Sequence, residues 1–298
     1  MRLKVNILFY FLPVLFLVVS CDKNGPVNPK PVDGTIDFSK CVNPGSSTKL
    51  EVVTLNLKDF PVEDDSTIKY AASLFDQMDA DVIALQEISS KTNLQRLSDA
   101  MPGWKPLFSP VTSRGMSLAF LYKTSEVELF SDETKALYAG DTYSFPRPPL
   151  KIKIKHIPSG KIVYLINNHL KCCSGAENED RRRSAVSKLK SYIDTKLPDD
   201  MVIVLGDMND RIDEARQDNV FWEFISDTQN YSFADMAIAT GSSAYWSYPS
   251  WPSHIDHLLI TNECFNSVDT VFTVRPDICV QRYTSYVSDH RPVELVLF

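Results

Sequence analysis

Hydrophobic positions along this chain follow two alternating periods. Short runs of aliphatic and β-branched residues recur at 50–57 (LEVVTLNL), 81–88 (DVIALQEI), 162–170 (IVYLINNHL), 201–209 (MVIVLGDMN) and 293–298 (VELVLF); their length and content predict buried strands. Residues 66–78 and 91–101 instead carry apolar side chains three and four apart, predicting two helices, the first with Ser66 as a candidate N-cap. A longer helix is predicted over 177–197, its acidic first turn favourable against the positive end of the helix dipole. From Trp104 to Leu170 the pattern is mostly extended, and 150–157 (LKIKIKHI) alternates as a strand with one wet face. An irregular or helical stretch to about Asn230 precedes an aromatic loop at 241–253 and strands at 254–261 and 270–274. Several strand neighbours are joined too tightly for a purely parallel sheet, so two packed mixed β-sheets flanked by helices are expected, in one domain over 49–298.

Lone polar residues stand at the ends of these apolar runs. Asn56, Glu87, His169 and Asp207 end four of them, Asp256 lies at the head of another, and Asp289 and His290 precede the last. Side chains at strand ends converge on a crevice, where α/β proteins hold ligands. A carboxylate such as Glu87 is costly to desolvate there unless paired or bound to a cation. Gly206 permits a tight turn and sets Asp207 and Asn209 on one side, suited to gripping a metal-bound phosphate or a water. An imidazole oriented by a carboxylate suits a general base or a transition-state proton donor, and His290 with Asp256 is the expected pair. Of the 5 histidines, His169, His254, His257 and His290 fall within these motifs, leaving His156 outside. Arg181, Arg182 and Arg183 read either as a phosphate-binding rim or as a solvated helix face.

Composition narrows the class. A formal charge of −7 argues against a passive nucleic-acid coat protein, which would be basic, although a cation and a local basic rim could still hold phosphate. No Gly-x-Ser-x-Gly elbow or Walker-type glycine loop is present. The hard oxygen donors favour Mg²⁺, with Mn²⁺ or Ca²⁺ as alternatives.

Residues 1–20 pair a basic start, Arg2 and Lys4, with a short apolar run and read as a signal peptide. Its end, Leu17 to Cys21, resembles the bacterial lipobox, which makes Cys21 a candidate lipidation site and implies an extracytoplasmic protein anchored to the cell envelope. Residues 21–48, rich in Pro, Gly, Asn and Ser, read as a flexible tether. Five other cysteines remain in a compartment that permits disulfides, and Cys264 and Cys279 could bridge across the strand between them. Cys172 and Cys173 are adjacent and lack the spacing of a zinc site.

The ordered set Thr54-Leu55-Asn56, Leu85-Gln86-Glu87, Asn168-His169-Leu170, Gly206-Asp207-Met208-Asn209, Ile255-Asp256-His257 and Ser288-Asp289-His290 resembles the endonuclease/exonuclease/phosphatase superfamily, deoxyribonuclease I-like, over nearly the whole predicted domain. The resemblance implies a four-layered α/β sandwich and Mg²⁺-dependent cleavage of a P–O bond by water. It implies Glu87 as the principal metal ligand with Asn56 and Asp289, Asp207 and Asn209 orienting the attacking water or a second ion, and a His290–Asp256 dyad. His169 would hydrogen-bond the phosphoryl oxygens, and Arg147 resembles an arginine that deoxyribonuclease-like members use against phosphate. Those members pair their first histidine with a glutamate, but residues 113–118 offer no carboxylate here. A nuclease is the leading expectation, acting as a monomer on nucleic acid. The alternatives are a sphingomyelinase-like or inositol-phosphate phosphoesterase, whose phospholipid contact the aromatic loop would make, and a non-catalytic surface binding lipoprotein.

Overall fold

The computed structural model describes residues 36–111 and 116–298. The signal peptide, Cys21 and the first part of the tether lie outside the described residues. Among the described residues the strands are, in chain order, β1 (Leu50–Phe60), β2 (Val82–Ile88), β3 (Trp104–Phe108), β4 (Ser117–Lys123), β5 (Val127–Leu129), β6 (Lys135–Ala136), β7 (Leu150–His156), β8 (Ile162–His169), β9 (Val202–Asp207), β10 (Tyr231–Phe233), β11 (Asp256–Thr261), β12 (Val268–Thr273) and β13 (Val293–Leu297). The main helices are α1 (Asp64–Met78), α2 (Lys91–Asp99) and α3 (Ala176–Lys196). Among the described residues no helix is long and apolar enough to cross a membrane.

The strands form two mixed sheets, ordered β12-β13-β1-β2-β4-β3 and β10-β11-β9-β8-β7-β5, with β6 pairing β7. Each has a central parallel pair, β1 with β2 and β8 with β9, flanked by antiparallel neighbours. Alternation along the strands produces the layering. Leu50 and Val52 of β1 join Ile203 and Leu205 of β9 in the core between the sheets, whereas Val53, Leu55 and Leu57 point outward under α1 and α2. Ile166, Val202 and Val204 turn outward in the second sheet to meet Ala185, Val186, Leu189 and Ile193 of α3. Helix, sheet, sheet and helix thus make four layers, and each fully buried aliphatic side chain contributes ~1.5–3 kcal/mol relative to exposure.

Four local expectations change. Helix α1 begins at Asp64, so Ser66 lies inside it; Glu63 is the cap residue, and its N–H donates to Thr67 Oγ1 at 2.8 Å. The compact unit starts at Ile36, upstream of the expected boundary at 49. Phe38 is fully buried, and Cys41 is bonded to Cys279, so Cys264 has no disulfide and lies buried. Strand β7 has no fully wet face: Lys151 is buried, pairing with Glu133 at 2.8 Å while its ammonium lies over the Tyr164 ring.

Candidate active site

The two parallel pairs end on the same edge of the sandwich, and the antiparallel strands β11 and β13 begin there. Residue pairing makes this concrete: Asp256, first in β11, stands beside Asp207, last in β9, and His169 stands beside the same Asp207 from β8. Gly206 is required by this close packing rather than by a turn. A Cβ on it would lie 1.9 Å from the Asn168 carbonyl oxygen, at a φ of +140°. A buried amide network joins the two sheets just beneath: Gln86 Nε2 donates to Asn167 Oδ1 at 2.8 Å, and Asn167 Nδ2 donates to the Leu85 and Ala119 carbonyls.

His290 and Asp256 meet with Nδ1 and Oδ2 2.8 Å apart, both buried, while His290 Nε2 lies 4.0 Å from Asp207 Oδ2. Burial disfavours the imidazolium, but Asp256 outweighs it, with Asp207 and Asp289 adding to it, and His290 is lifted to about 9. Asp256 is correspondingly held below the usual carboxylate range despite its burial, chiefly by the charge of His290. Asp207 moves the other way, to about 6: burial raises it, with Asp256 adding, against the charge of His290 and the donors Asn56 and Asn209.

His169 Nε2 lies 3.4 Å from Asp207 Oδ2 and 3.9 Å from Glu87 Oε1. Burial, then the charges of Arg147 and His290, hold it well below the ordinary imidazole value, so it is neutral near pH 7. Its Nδ1 is buried with no partner among the described residues, in keeping with the missing carboxylate noted in the sequence. Arg147 has Nη2 3.1 Å from Met116 Sδ, and no ion pair to it occurs among the described residues.

Glu87 adopts a φ of +60°, uncommon for a non-glycine residue, as do Lys58 at +44° and Asp59 at +49° nearby. Asp59 N–H donates to Glu87 Oε2 at 2.9 Å, and Lys58 Nζ pairs with Asp289 at 3.0 Å. Asn56 departs from expectation. Its Nδ2, not its oxygen, faces the carboxylates, donating to Glu87 Oε1 at 3.2 Å and Asp207 Oδ2 at 2.9 Å, while its Oδ1 accepts from Lys58 N–H. Two carboxylates facing one another need a donor between them, which the amide supplies. Asn209 closes the turn after β9, its N–H on Asp207 Oδ1 at 3.0 Å and its Nδ2 3.4 Å from the Leu170 carbonyl.

The donor chemistry fits a hard divalent cation: Glu87, Asp207 and Asp289 bring carboxylate oxygens to one crevice, while Asp256 and the protonated His290, though close to Asp207, are taken up by each other. A second group, Asp235 with His254 and His257, fits less well because its ligand atoms are taken. Asp235 receives both imidazoles, at 2.9 and 2.6 Å, and the other ring nitrogens meet the Ser247 N–H and the Asp210 carbonyl.

The aromatic loop expected at 241–253 borders this region. Tyr248 lies against His290 with ring centroids 4.7 Å apart, on a turn closed by two backbone bonds to Ser253. At its tip Trp251 is 77% exposed, whereas Trp246 is tied down through Nε1 to the Ile238 carbonyl. Of the three arginines in the run, Arg182 is buried and Arg181 and Arg183 are partly exposed. All three donate to loop carbonyls, and buried Arg182 also pairs with Asp210 at 2.7 Å.

Fold and crevice together define an α/β-sandwich of phosphoesterase architecture. The Endonuclease/Exonuclease/phosphatase family matches residues 53–290, and the chain belongs to it; its members are hydrolases acting on phosphoesters. No curated protein matches the sequence. Solved structures share the fold at low identity. TDP2 from D. rerio, complexed with a single-strand DNA product, is 16% identical with a TM-score of 0.67, covering 84% of this chain and 99% of that one. The human nocturnin catalytic domain with bound sulfate is 17% identical, TM-score 0.62, over 86% and 95%. A mannosyl-6-phosphatase from Bacteroides thetaiotaomicron is 16% identical, TM-score 0.59, over 84% and 99%.

Proposed function

We propose that this chain is a Mg²⁺-dependent phosphodiesterase, and specifically an extracytoplasmic nuclease. The observation that carries the reading is the buried Asp256–His290 pair aimed at Asp207, with Glu87 and Asn56 alongside. Glu87, Asp207 and Asp289, with Asn56 beside them, would hold the cation, which when bound supplies positive charge to the phosphoryl oxygens. Asp207 takes the proton of the attacking water, and Asn209 keeps the Asp207 carboxylate in place. His290, protonated at neutral pH and oriented by Asp256, donates a hydrogen bond to the phosphoryl group as charge builds there. His169, neutral, adds a second donor without adding charge, and Arg147 contacts a phosphate from the rim.

The DNA product bound to the D. rerio relative supports nucleic acid as the substrate. A lipid phosphoesterase is the second reading, favoured by exposed Trp251 beside Tyr248, which suits a membrane surface as well as a base. The test offers plasmid DNA, RNA, sphingomyelin, inositol phosphates and a generic phosphodiester, with Mg²⁺ or with EDTA. Metal-dependent cleavage of DNA or RNA is expected; turnover of sphingomyelin alone would establish the second reading, and none on any substrate would overturn both. Attachment to the cell envelope through lipidated Cys21 is proposed from the lipobox-like sequence.

A further inference from the structure

The loop joining β8 to α3 carries Cys172 and Cys173, whose Sγ atoms lie 2.8 Å apart. Cys172 is half-buried and Cys173 exposed, the latter at a φ of +77°. The backbone around them is clamped: Arg182 Nη1 donates to the Lys171 carbonyl at 2.7 Å and to the Cys173 carbonyl at 3.0 Å. Lys171 Nζ lies 3.0 Å from the Cys172 carbonyl oxygen and 3.6 Å from its sulfur. Burial opposes ionisation of Cys172, but the Cys173 S–H and the charges of Lys171 and Arg147 outweigh it and lower the thiol below its ordinary value. Among the described residues the other free thiol, Cys264, contrasts with this pair, since burial pushes it up to about 12.

We propose that Cys172 and Cys173 are a reversible thiol–disulfide site on the rim of the crevice, closed by exchange with a low-molecular-weight disulfide. The Cys172 thiolate attacks one sulfur of the small disulfide and expels a thiolate, leaving a mixed disulfide. The Cys173 thiolate then attacks the Cys172 sulfur, expels the second small thiolate and forms the vicinal bond. Two protein thiols lose two protons and two electrons, and the small disulfide takes them up to become two thiols. The sulfurs need to close from 2.8 Å to a bond of about 2.05 Å, and the clamped loop already holds them in contact.

Reversibility follows from chain geometry. Adjacent Cα atoms lie about 3.8 Å apart, below the usual disulfide range of ~4.4–6.8 Å, so the small ring is strained and easily reduced. The Cys41–Cys279 bond spans Cα atoms 6.3 Å apart and lies within that range. The two disulfides therefore open in stages, the vicinal one first.

The pair sits alone in a tryptic peptide, residues 172–181, because Lys171 precedes it and Arg181 ends it. Purified full chain is equilibrated with oxidised glutathione, alkylated, digested and weighed. The expected peptide is unalkylated and two hydrogens lighter than the dithiol; reduced glutathione then returns both thiols to the alkylating agent while the Cys41–Cys279 link persists. A peptide alkylated at both cysteines after oxidation, or one carrying glutathione in place of the internal bond, overturns the proposal. Cys173→Ser should trap glutathione on Cys172, and its absence there overturns Cys172 as the attacking thiol.

Discussion

Replacing Asp256 with Asn removes the one charge that directly contacts the His290 ring, at 2.8 Å, and keeps the size and a hydrogen-bonding oxygen. The lift of His290 from an ordinary ~6.5 to about 9 is the net of burial, which lowers it, against Asp256 chiefly, then Asp207 and Asp289, and corresponds to roughly 3 kcal/mol at ~1.4 kcal/mol per pH unit. Asp256 and His290 share this interaction, so the lowered carboxylate is not a further contribution. Because the folded value exceeds the unfolded one, the stabilisation is full below about pH 6.5 and is lost as pH rises through about 9. In Asp256→Asn, burial acts unopposed by that charge, and His290 should lose its proton near or below neutrality. Urea unfolding of both proteins in EDTA, from about pH 5.5 to 9.5, should show a stability gap of about 3 kcal/mol at the acid end that narrows toward the alkaline end. Imidazole NMR in the same buffers should move the His290 titration down by two or more pH units, roughly. With Mg²⁺ present, the alkaline limb of kcat/KM should shift to lower pH. A gap that does not vary with pH, or a His290 in the variant that still titrates near 9, would refute the assignment of Asp256 as the source of the His290 charge.

Three further outcomes are expected. Glu87→Gln should cut activity by more than the roughly 10–100-fold typical of residues that support a metal's ligands and should weaken Mg²⁺ binding by calorimetry; full activity would remove Glu87 from the site. Arg182→Ala removes the ion pair to half-buried Asp210 and the donor to two loop carbonyls, and should cost about 1.5–3 kcal/mol in urea unfolding, whereas a loss under about 1 kcal/mol would show the clamp to be dispensable. Cys21→Ser should move the protein from the membrane fraction to the soluble one; unchanged fractionation would refute lipidation.

The site was legible where one residue type at a strand end sufficed. Asp207, His169 and Glu87 ended apolar runs, and the sheets carry them to one edge. The Asp256–His290 pair was readable because each lies at or just before the start of an antiparallel strand, and β11 and β13 bring those starts to the same edge. Asn56 was placed correctly but not oriented, because which way its amide faces depends on carboxylates from two other strands. Lys58 left no trace, since a lysine beside a strand is ordinary until Asp289 stands next to it, and Tyr248 was legible only as one of several loop aromatics, not as a neighbour of His290. The partners of the arginine run were not legible either: Arg181 and Arg183 donate to carbonyls on loops 38 and 36 residues away, and Arg182 to the loop just before its own helix.

Periodicity alone determined the longer strands, the long helices and the two-sided burial of the central runs, because alternation and helical spacing are local consequences of backbone geometry, whereas the short β6 and β10 were not legible. It also determined that carboxylates, amides and imidazoles would cluster at strand ends. The tertiary structure decided which of them touch, and their charge: His169 neutral, His290 protonated and Asp207 near 6 follow from burial and from neighbours contributed by both sheets. It alone paired Cys41 with Cys279 across a sequence separation of 238. Such contacts depend on how two sheets pack, a long-range outcome that no window of sequence contains.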